Sequence, residues 1–174
     1  MAGSLNVVGR AHQAGPSPGF TWFVYGSSLD AEAFAAWARD HGYRLPDFAA
    51  ASPARLRGWR LAFDAPSKMW GGPVASLAES AGDEVEGLAV PMPGDARGLV
   101  DHKEGAVSGL YEAVPVTIET ETGPVAALAY RVSLARRLPA DGPPAPAYLD
   151  ALLRGARAVN LSPAWIAWLE SLRD

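Results

Sequence analysis

The pattern of apolar and polar positions predicts a strand, a sharp turn and a helix near the start of the chain. Residues 21–25 form an aromatic and β-branched run, which is typical of a buried strand. The run stops at Gly26, and a helix follows over residues 30–42, with Asp30 as its N-cap and Gly42 as its stop. Apolar residues at helical spacing within this segment predict that one face of the helix packs inward.

Further strands are predicted in the middle of the chain. Residues 56–63 alternate in the manner of a strand, and so do residues 73–79 and 85–91. A Gly-Asp pair within residues 80–83 predicts that the last two of these strands form a hairpin with each other. Residues 110–134 predict a second hairpin, with its turn at Glu121, Thr122 and Gly123.

The C-terminal part of the chain returns to helical periodicity. A proline-rich connector at residues 138–146 precedes a predicted helix over residues 148–158. A last helix is predicted over residues 163–172, with Ser162 as N-cap and Pro163 at its first position. The order of strand, helix, closely spaced strands and helices predicts an α+β fold, in which a small, mostly antiparallel β-barrel is flanked by helices.

Length and composition predict one folded domain over residues 21–174, preceded by a flexible leader over residues 1–20. The leader is rich in Gly, Ala, Ser and Pro and has no continuous apolar run, so we interpret it as neither a signal peptide nor a membrane anchor. The formal net charge of -4 and the scattered basic residues argue against a nucleic-acid partner. The absence of cysteine excludes a thiolate nucleophile and favours a cytoplasmic location.

Two short segments are candidates for chemistry. The first is Tyr25-Gly26-Ser27-Ser28-Leu29, where glycine and two serines between a strand and a helix can turn several backbone N–H groups outward. Such a loop can hold a carboxylate or a developing oxyanion, although a plain structural turn has the same local pattern. The second, residues 101–105, precedes a strand and by itself predicts an exposed polar turn; its acidic and histidine residues do not have the spacing of a metal site.

In order and spacing, several segments of the chain resemble the γ-glutamylcyclotransferase family. The matching segments are Tyr-Gly-Ser-Ser-Leu at 25–29, Leu-Arg-Gly-Trp-Arg-Leu-Ala-Phe at 56–63, Trp-Gly-Gly-Pro-Val-Ala-Ser at 70–76, Gly-Asp-Glu-Val-Glu-Gly at 82–87, Asp-His-Lys-Glu-Gly at 101–105, Gly-Leu-Tyr at 109–111, and the closing residues 148–161. Two positions depart from the family pattern: Ser28 stands where Asn is frequent, and Glu86 stands where an aromatic residue is common.

The resemblance implies a cofactor-independent enzyme without a metal. It implies that Glu104 transfers protons and that the backbone of the first loop embraces the glutamyl group. The residues that it implies for substrate binding are Tyr25, Gly26, Ser27, Ser28, Leu29, Tyr111 and Tyr130. In the implied reaction, the α-amine of a γ-glutamyl amino acid or amine attacks its own γ-carbonyl and releases 5-oxoproline and the free amine.

Several alternatives stay open from the sequence. The enzyme could instead deprotect a γ-glutamylated biosynthetic intermediate or act on glutathione, or the fold could serve as a non-catalytic small-molecule binding module. Asp101 is a rival base, which we interpret as structural, and Ser27 is a weak candidate nucleophile because no histidine accompanies it. Trp70, beside two glycines, is expected at the rim of the pocket. The expected partner is a small γ-glutamyl molecule, with neither nucleic acid nor membrane, for a monomer or homodimer.

Overall fold

A computed structural model describes residues 18–45 and 48–173 of the chain. The strands are β1 (Phe20–Val24), β2 (Ser52–Ser67), β3 (Gly72–Met92), β4 (Tyr111–Thr120) and β5 (Gly123–Val132). The helices are α1 (Ala31–Asp40), α2 (Arg97–Lys103), α3 (Pro146–Ala158) and α4 (Pro163–Glu170). The predicted leader lies almost entirely outside the described residues, and Phe20 already belongs to β1.

The five strands close into a barrel in the order β1-β3-β2-β4-β5. All neighbouring pairs are antiparallel except β1 and β5, which pair in parallel through Trp22 and Leu128 and so complete the ring. Trp22 and Phe23 of β1 are almost fully buried. The predicted small, mostly antiparallel barrel flanked by helices is confirmed.

The hairpin predicted around residues 80–83 is wrong. Residues 72–92 form one continuous strand, β3, which pairs along both of its halves with β2. Arg57 pairs with Glu84 whereas Trp59 pairs with Glu79, so residues 80–83 bulge out opposite Gly58 alone. Gly58 has a φ of 79°, which permits this irregularity. The local turn signal therefore marks a bulge, because pairing with β2 continues on either side of it.

The hairpin predicted from residues 110–134 is confirmed as β4 and β5, which pair from Tyr111 and Val132 to Thr120 and Gly123. The predicted caps are confirmed as well. The Asp30 carboxylate accepts a hydrogen bond from the backbone N–H of Ala33 at 3.0 Å, and the Ser162 hydroxyl accepts one from that of Trp165 at 3.1 Å. These features depend on neighbouring residues, which is why the sequence predicts them well.

Helix α3 approaches the turn that follows β1 very closely. A Cβ atom at Gly155 would lie 2.7 Å from the Cβ of Leu29 and 2.7 Å from the backbone nitrogen of Asp30. Only glycine permits this approach, so the helix fixes the position of the turn. No helix among residues 18–45 and 48–173 combines the length and the apolar character needed to cross a membrane.

Candidate active site

A cavity of about 240 Å³ opens where the end of β1 meets the end of α2. Its walls come from the turn after β1, the end of α2, the β2–β3 connection and the start of α3. The lining includes Tyr25, Gly26, Ser27, Ser28, Ser67, Met69, Trp70, Lys103, Glu104, Tyr111 and Tyr148. Both sequence segments that were candidates for chemistry therefore contribute to one cavity, with Trp70 at its edge.

A larger cavity, of about 520 Å³, lies elsewhere around Arg55 and Glu86. The Glu86 carboxylate accepts hydrogen bonds from the backbone N–H of Ser162 at 2.8 Å and from its hydroxyl at 2.7 Å. Glu86 thus supports the start of α4 and does not reach the smaller cavity. Its departure from the family pattern consequently leaves the walls of the smaller cavity unchanged, and that cavity is the candidate active site.

Glu104 follows the last residue of α2 and turns its carboxyl group into the cavity. The residue directly after it, Gly105, has a φ of 74°, so the chain leaves the helix in a left-handed conformation that favours glycine. The hydroxyl of Ser28 donates to Oε1 of Glu104 at 3.3 Å, across the cavity. The segment predicted as an exposed turn is instead a helix end, because Leu99 and Val100 anchor α2 in the core.

Burial raises the pKa of the Glu104 carboxyl to about 7, from an ordinary value of 4.5. The positive charge of Lys103 and the hydrogen bond from Ser28 act in the opposite direction and limit this rise. A pKa near neutrality lets the group accept a proton and return it under physiological conditions. Lys103 also lines the cavity; its pKa is lowered by burial, and its ammonium lies 5.2 Å from the centre of the Trp37 ring.

The turn after β1 is one turn of 3₁₀ helix over Ser27–Leu29. The backbone N–H of Leu29 donates to the carbonyl of Gly26 at 3.0 Å, and that of Asp30 donates to Ser27 at 3.1 Å. Its N-cap residue, Gly26, has no side chain that could cap the start of the turn. The N-terminal end of the turn lines the cavity through Gly26, Ser27 and Ser28.

Leu29, whose backbone the resemblance implied for substrate binding, ends the turn. Its side chain is 1% exposed and packs in the core beside Gly155 of α3, and it does not line the cavity. Its N–H group is already used inside the 3₁₀ turn. Leu29 thus anchors the turn in the core, on the side that faces α3.

Tyr25 and Tyr111 line the cavity as expected from the resemblance. The Tyr25 hydroxyl donates to the backbone carbonyl of Tyr130, and the Tyr111 hydroxyl donates to that of Ala75 at 2.5 Å. Burial raises the pKa of both phenols well above the ordinary value, so both stay neutral. Their rings supply a low-dielectric wall close to Glu104.

Tyr130, which the resemblance implied for substrate binding, is not among the residues that line the cavity. It is fully buried, and its hydroxyl donates to Oδ1 of Asp101 at 2.6 Å. The same oxygen accepts a hydrogen bond from Nε of Arg97 at 2.9 Å. Tyr130 thus fastens α2 to the barrel, and Asp101 is engaged in that contact, in accord with its interpretation as a structural residue.

Tyr148, at the start of α3, was missed as a site residue. Burial raises the pKa of its hydroxyl, and the nearby backbone of Ala75 and Ser27 limits this rise. A Cβ atom at Gly26 would lie 3.0 Å from this hydroxyl, so glycine makes room for it. The ring packs edge-on against Trp70 at 5.4 Å. In the sequence Tyr148 falls on the apolar face of a helix, which equally fits a core residue.

Among the residues that the structure describes, no cluster of three or more His, Asp or Glu side chains could hold a metal ion. The arrangement instead offers one carboxyl of near-neutral pKa, facing the N-terminal end of a backbone turn across a small aromatic cavity. This combination suits a proton transfer beside a developing negative charge.

Comparison with known proteins finds relatives that are named γ-glutamylcyclotransferase both among sequences and among solved structures. The model of the AIG2-like family matches residues 84–169. The γ-glutamylcyclotransferase of Bos taurus is 33% identical over 147 residues, which cover 82% of this chain and 72% of that protein. The γ-glutamylcyclotransferase of Homo sapiens is 31% identical with the same coverage. A solved structure of a γ-glutamyl cyclotransferase superposes with a TM-score of 0.70 at 26% identity, covering 89% of this chain and 86% of that one.

Proposed function

Because the chain belongs to the γ-glutamylcyclotransferase family, we propose that it converts a γ-glutamyl compound into 5-oxoproline and a free amine, with Glu104 as its acid–base residue. The observation that carries this proposal is the position of the Glu104 carboxyl. It lies in the cavity opposite the turn after β1, with a pKa of about 7.

The substrate itself supplies the nucleophile. In a γ-glutamyl compound the α-amine can reach the γ-carbonyl carbon and close a five-membered lactam. Holding the reacting atoms in one conformation is worth an effective concentration on the order of 10⁵ M or more. A small cavity with rigid aromatic walls serves this purpose. In an α-linked glutamyl peptide the γ-carbonyl carbon carries no leaving amine, and attack of the α-amine on the α-carbonyl would close a strained three-membered ring, so the reaction is selective for the γ-linkage.

Glu104 moves the protons in two stages. As a carboxylate it takes a proton from the attacking nitrogen while the new bond to the γ-carbonyl carbon forms. As a carboxylic acid it then returns a proton to the nitrogen of the leaving amine while the old bond from that carbon to the leaving nitrogen breaks. A carboxyl group with its ordinary pKa of 4.5 is too weak a base for the first stage at neutral pH, and the raised pKa corrects this.

The γ-carbonyl oxygen becomes negative in the tetrahedral intermediate. We assign its stabilisation to the N–H groups at the start of the Ser27–Leu29 turn, because its N-cap residue, Gly26, has no side chain to cap them and the turn lines the cavity. The loss of one such donor typically costs about 3 kcal/mol of transition-state stabilisation. The neutral hydroxyl of Tyr148 lies near the backbone of Ser27 in the same cavity, so it adjoins the same position.

The identity of the leaving amine separates the remaining possibilities. A γ-glutamyl amino acid, glutathione and a γ-glutamylated biosynthetic intermediate all present the same reacting atoms to Glu104. The placement of a carboxyl of near-neutral pKa in the cavity argues against a purely binding role, because a binder for an anionic glutamyl group gains nothing from a second negative charge.

The proposal is tested by incubating the purified protein with γ-glutamyl-alanine, glutathione and a γ-glutamyl amine, and by measuring 5-oxoproline. Release of 5-oxoproline from at least one of them is the expected result, and it should be lost in the Glu104→Gln variant. Binding of these compounds without release of 5-oxoproline would favour the non-catalytic alternative.

A further inference from the structure

Lysine is rare in this chain, and one of its two lysines adjoins the proposed acid–base residue. Of the 15 Lys and Arg residues, only Lys68 and Lys103 are lysines. Lys103 is the last residue of α2, lines the cavity of the candidate active site and directly precedes Glu104. A lysine amine can be acylated and lose its charge, whereas an arginine guanidinium keeps its charge. The positive charge beside Glu104 is therefore one that a covalent modification can remove.

The Lys103 amine lies against aromatic rings. Its nitrogen is 5.2 Å from the centre of the Trp37 ring of α1. The rings of His41 and His102 pack on the same indole, with centroids 4.4 and 5.1 Å away. The Tyr43 hydroxyl is hydrogen-bonded to Nδ1 of His102 at 3.0 Å. In the part of the chain that the structure describes, no carboxylate lies in ion-pair range of the amine. The amine thus has no carboxylate partner there that would hold its proton.

The environment of Lys103 favours the nucleophilic form of the amine. Burial lowers the pKa of Lys103 from its ordinary value of 10.5, and the negative charge of Glu104 acts in the opposite direction. At a pH below the pKa of an amine, each unit by which the pKa falls raises the neutral fraction about tenfold. Only the neutral amine has a free electron pair with which to attack a carbonyl carbon. Because Lys103 is half-buried and not fully enclosed, a small reagent in solvent has access to it.

Lys68 provides an internal comparison. It lies on the connection between β2 and β3, and it is exposed. Access alone would make Lys68 the more reactive of the two amines. Faster modification of Lys103 would therefore report the effect of its surroundings.

We propose that Lys103 is an acylation site for small acyl phosphates, and that its acylation lowers turnover at neutral pH. The neutral Nζ attacks the carbonyl carbon of the acyl phosphate and forms a new N–C bond. The bond from that carbon to the phosphate oxygen breaks, inorganic phosphate leaves, and the surplus proton of the nitrogen passes to water. A small donor suits a half-buried amine beside Trp37, since a donor on a large carrier would meet the surrounding side chains.

The effect on turnover rests on the function proposed above. The positive charge of Lys103 limits the rise of the Glu104 pKa. An acyl-lysine is neutral, so the pKa of Glu104 should rise above about 7, and a larger fraction of this group should be protonated and unable to act as a base. We expect kcat/KM to fall about two- to fivefold at pH 7 and to recover at about pH 9, where Glu104 is ionised in both forms.

The first measurement follows acetylation of the purified protein by acetyl phosphate at about pH 7.5. Peptide mass spectrometry reports the acetylated fraction at Lys103 and at Lys68 over time. We expect Lys103 to be acetylated about threefold faster or more, because the gain in neutral amine outweighs the loss of access. Equal or slower acetylation of Lys103 would overturn the inference, whatever the protein does with γ-glutamyl compounds.

The second measurement follows 5-oxoproline release after the same treatment. The treated protein should lose activity at pH 7 in proportion to the acetylation of Lys103, and Lys103→Gln should show the same dependence on pH without the reagent. Lys103→Arg keeps the charge but has no amine to acylate, so treatment should leave its own rate unchanged. Lys68→Arg is the matched control, which should start at the rate of the unmodified protein and lose activity on treatment to the same extent.

The outcomes separate this inference from the proposed function. Loss of activity in the treated Lys103→Arg variant would overturn the role of Lys103 in the effect. Acetylation of Lys103 with an unchanged rate at pH 7 would overturn the proposed effect on turnover. If the unmodified protein releases no 5-oxoproline, the proposed function fails, and the ratio of the two acetylation rates still decides whether Lys103 is the acylation site.

Discussion

Replacing Glu104 with Gln should abolish turnover and at the same time stabilise the protein at alkaline pH. Gln keeps the size and the polar end of the side chain but can neither take a proton from the attacking nitrogen nor return one. Acid–base catalysis by a positioned group contributes about 10²- to 10⁴-fold, which corresponds to roughly 3–5 kcal/mol of activation free energy. We expect kcat to fall by that factor while KM changes little.

The stabilisation follows from the raised pKa. The Glu104 carboxyl has a pKa of about 7 in the folded protein and an ordinary value of 4.5 when exposed. Below pH 4.5 both states are protonated and the group costs nothing. Between pH 4.5 and 7 the unfolded state releases its proton first, so the folded state loses relative stability. At about 1.4 kcal/mol per pH unit, the penalty reaches roughly 3 kcal/mol at most above pH 7.

Two measurements check this prediction. Release of 5-oxoproline from a γ-glutamyl substrate reports the chemistry, and thermal unfolding at pH 4.5 and pH 8 reports stability. The Glu104→Gln variant should melt like the unmodified protein at pH 4.5 and roughly 5–10 °C higher at pH 8. Glu86→Gln is the control: it alters another buried carboxyl outside the cavity, so it should keep the activity and gain no stability at pH 8. Near-normal turnover by Glu104→Gln would refute the catalytic assignment, and an unchanged melting temperature at pH 8 would refute the buried-carboxyl argument.

Three further predictions concern the surroundings of Glu104. Asp101→Asn should reduce kcat by less than tenfold and the free energy of unfolding by about 1–3 kcal/mol, since this carboxylate makes charged hydrogen bonds outside the cavity. A loss of rate as deep as that of Glu104→Gln would instead make Asp101 the better candidate for the acid–base residue. Lys103→Met removes a positive charge that lowers the pKa of Glu104, so the rising limb of the plot of kcat/KM against pH should move to higher pH. An unmoved limb would show that Lys103 does not affect the pKa of Glu104. Gly155→Ala places a methyl group 2.7 Å from Leu29 and should cost about 1–3 kcal/mol of stability while raising KM. Thermal unfolding and steady-state kinetics measure these effects, and an unchanged melting temperature and KM would contradict the close approach of α3 to the turn after β1.

Features that depend on neighbouring residues could be predicted from the sequence. The strand, turn and helix around Gly26, and the N-caps Asp30 and Ser162, each follow from side chains within a few positions of one another. The bulge at residues 80–83 could not be predicted, because a turn within a hairpin and a bulge opposite β2 share the same local composition. Only the long-range pairing of β3 with β2 distinguishes them.

The candidate site, too, could be predicted from the sequence only in part. The resemblance points to Glu104, but the residues around it predict only an exposed turn, and the depth of its burial depends on Tyr25, Tyr111 and Tyr148 from three other elements. The local pattern does not tell whether Tyr130 lines the cavity, because position along a strand does not determine which volume the side chain enters. Its hydroxyl reaches Asp101 of α2, a helix that the local pattern does not predict.

The placement of Glu104 at the C-terminal end of α2 has a consequence for how this chain can vary. A helix advances by 3.6 residues per turn, so one residue inserted or deleted within Arg97–Lys103 would swing the carboxyl through roughly 100° around the axis. The reacting group would then point at the protein exterior or into the barrel wall. Segments outside the lining of the cavity, such as residues 133–145, carry no such angular constraint. Lengthening or shortening them would leave the proton-transfer geometry intact, so diversity within such a scaffold should accumulate there.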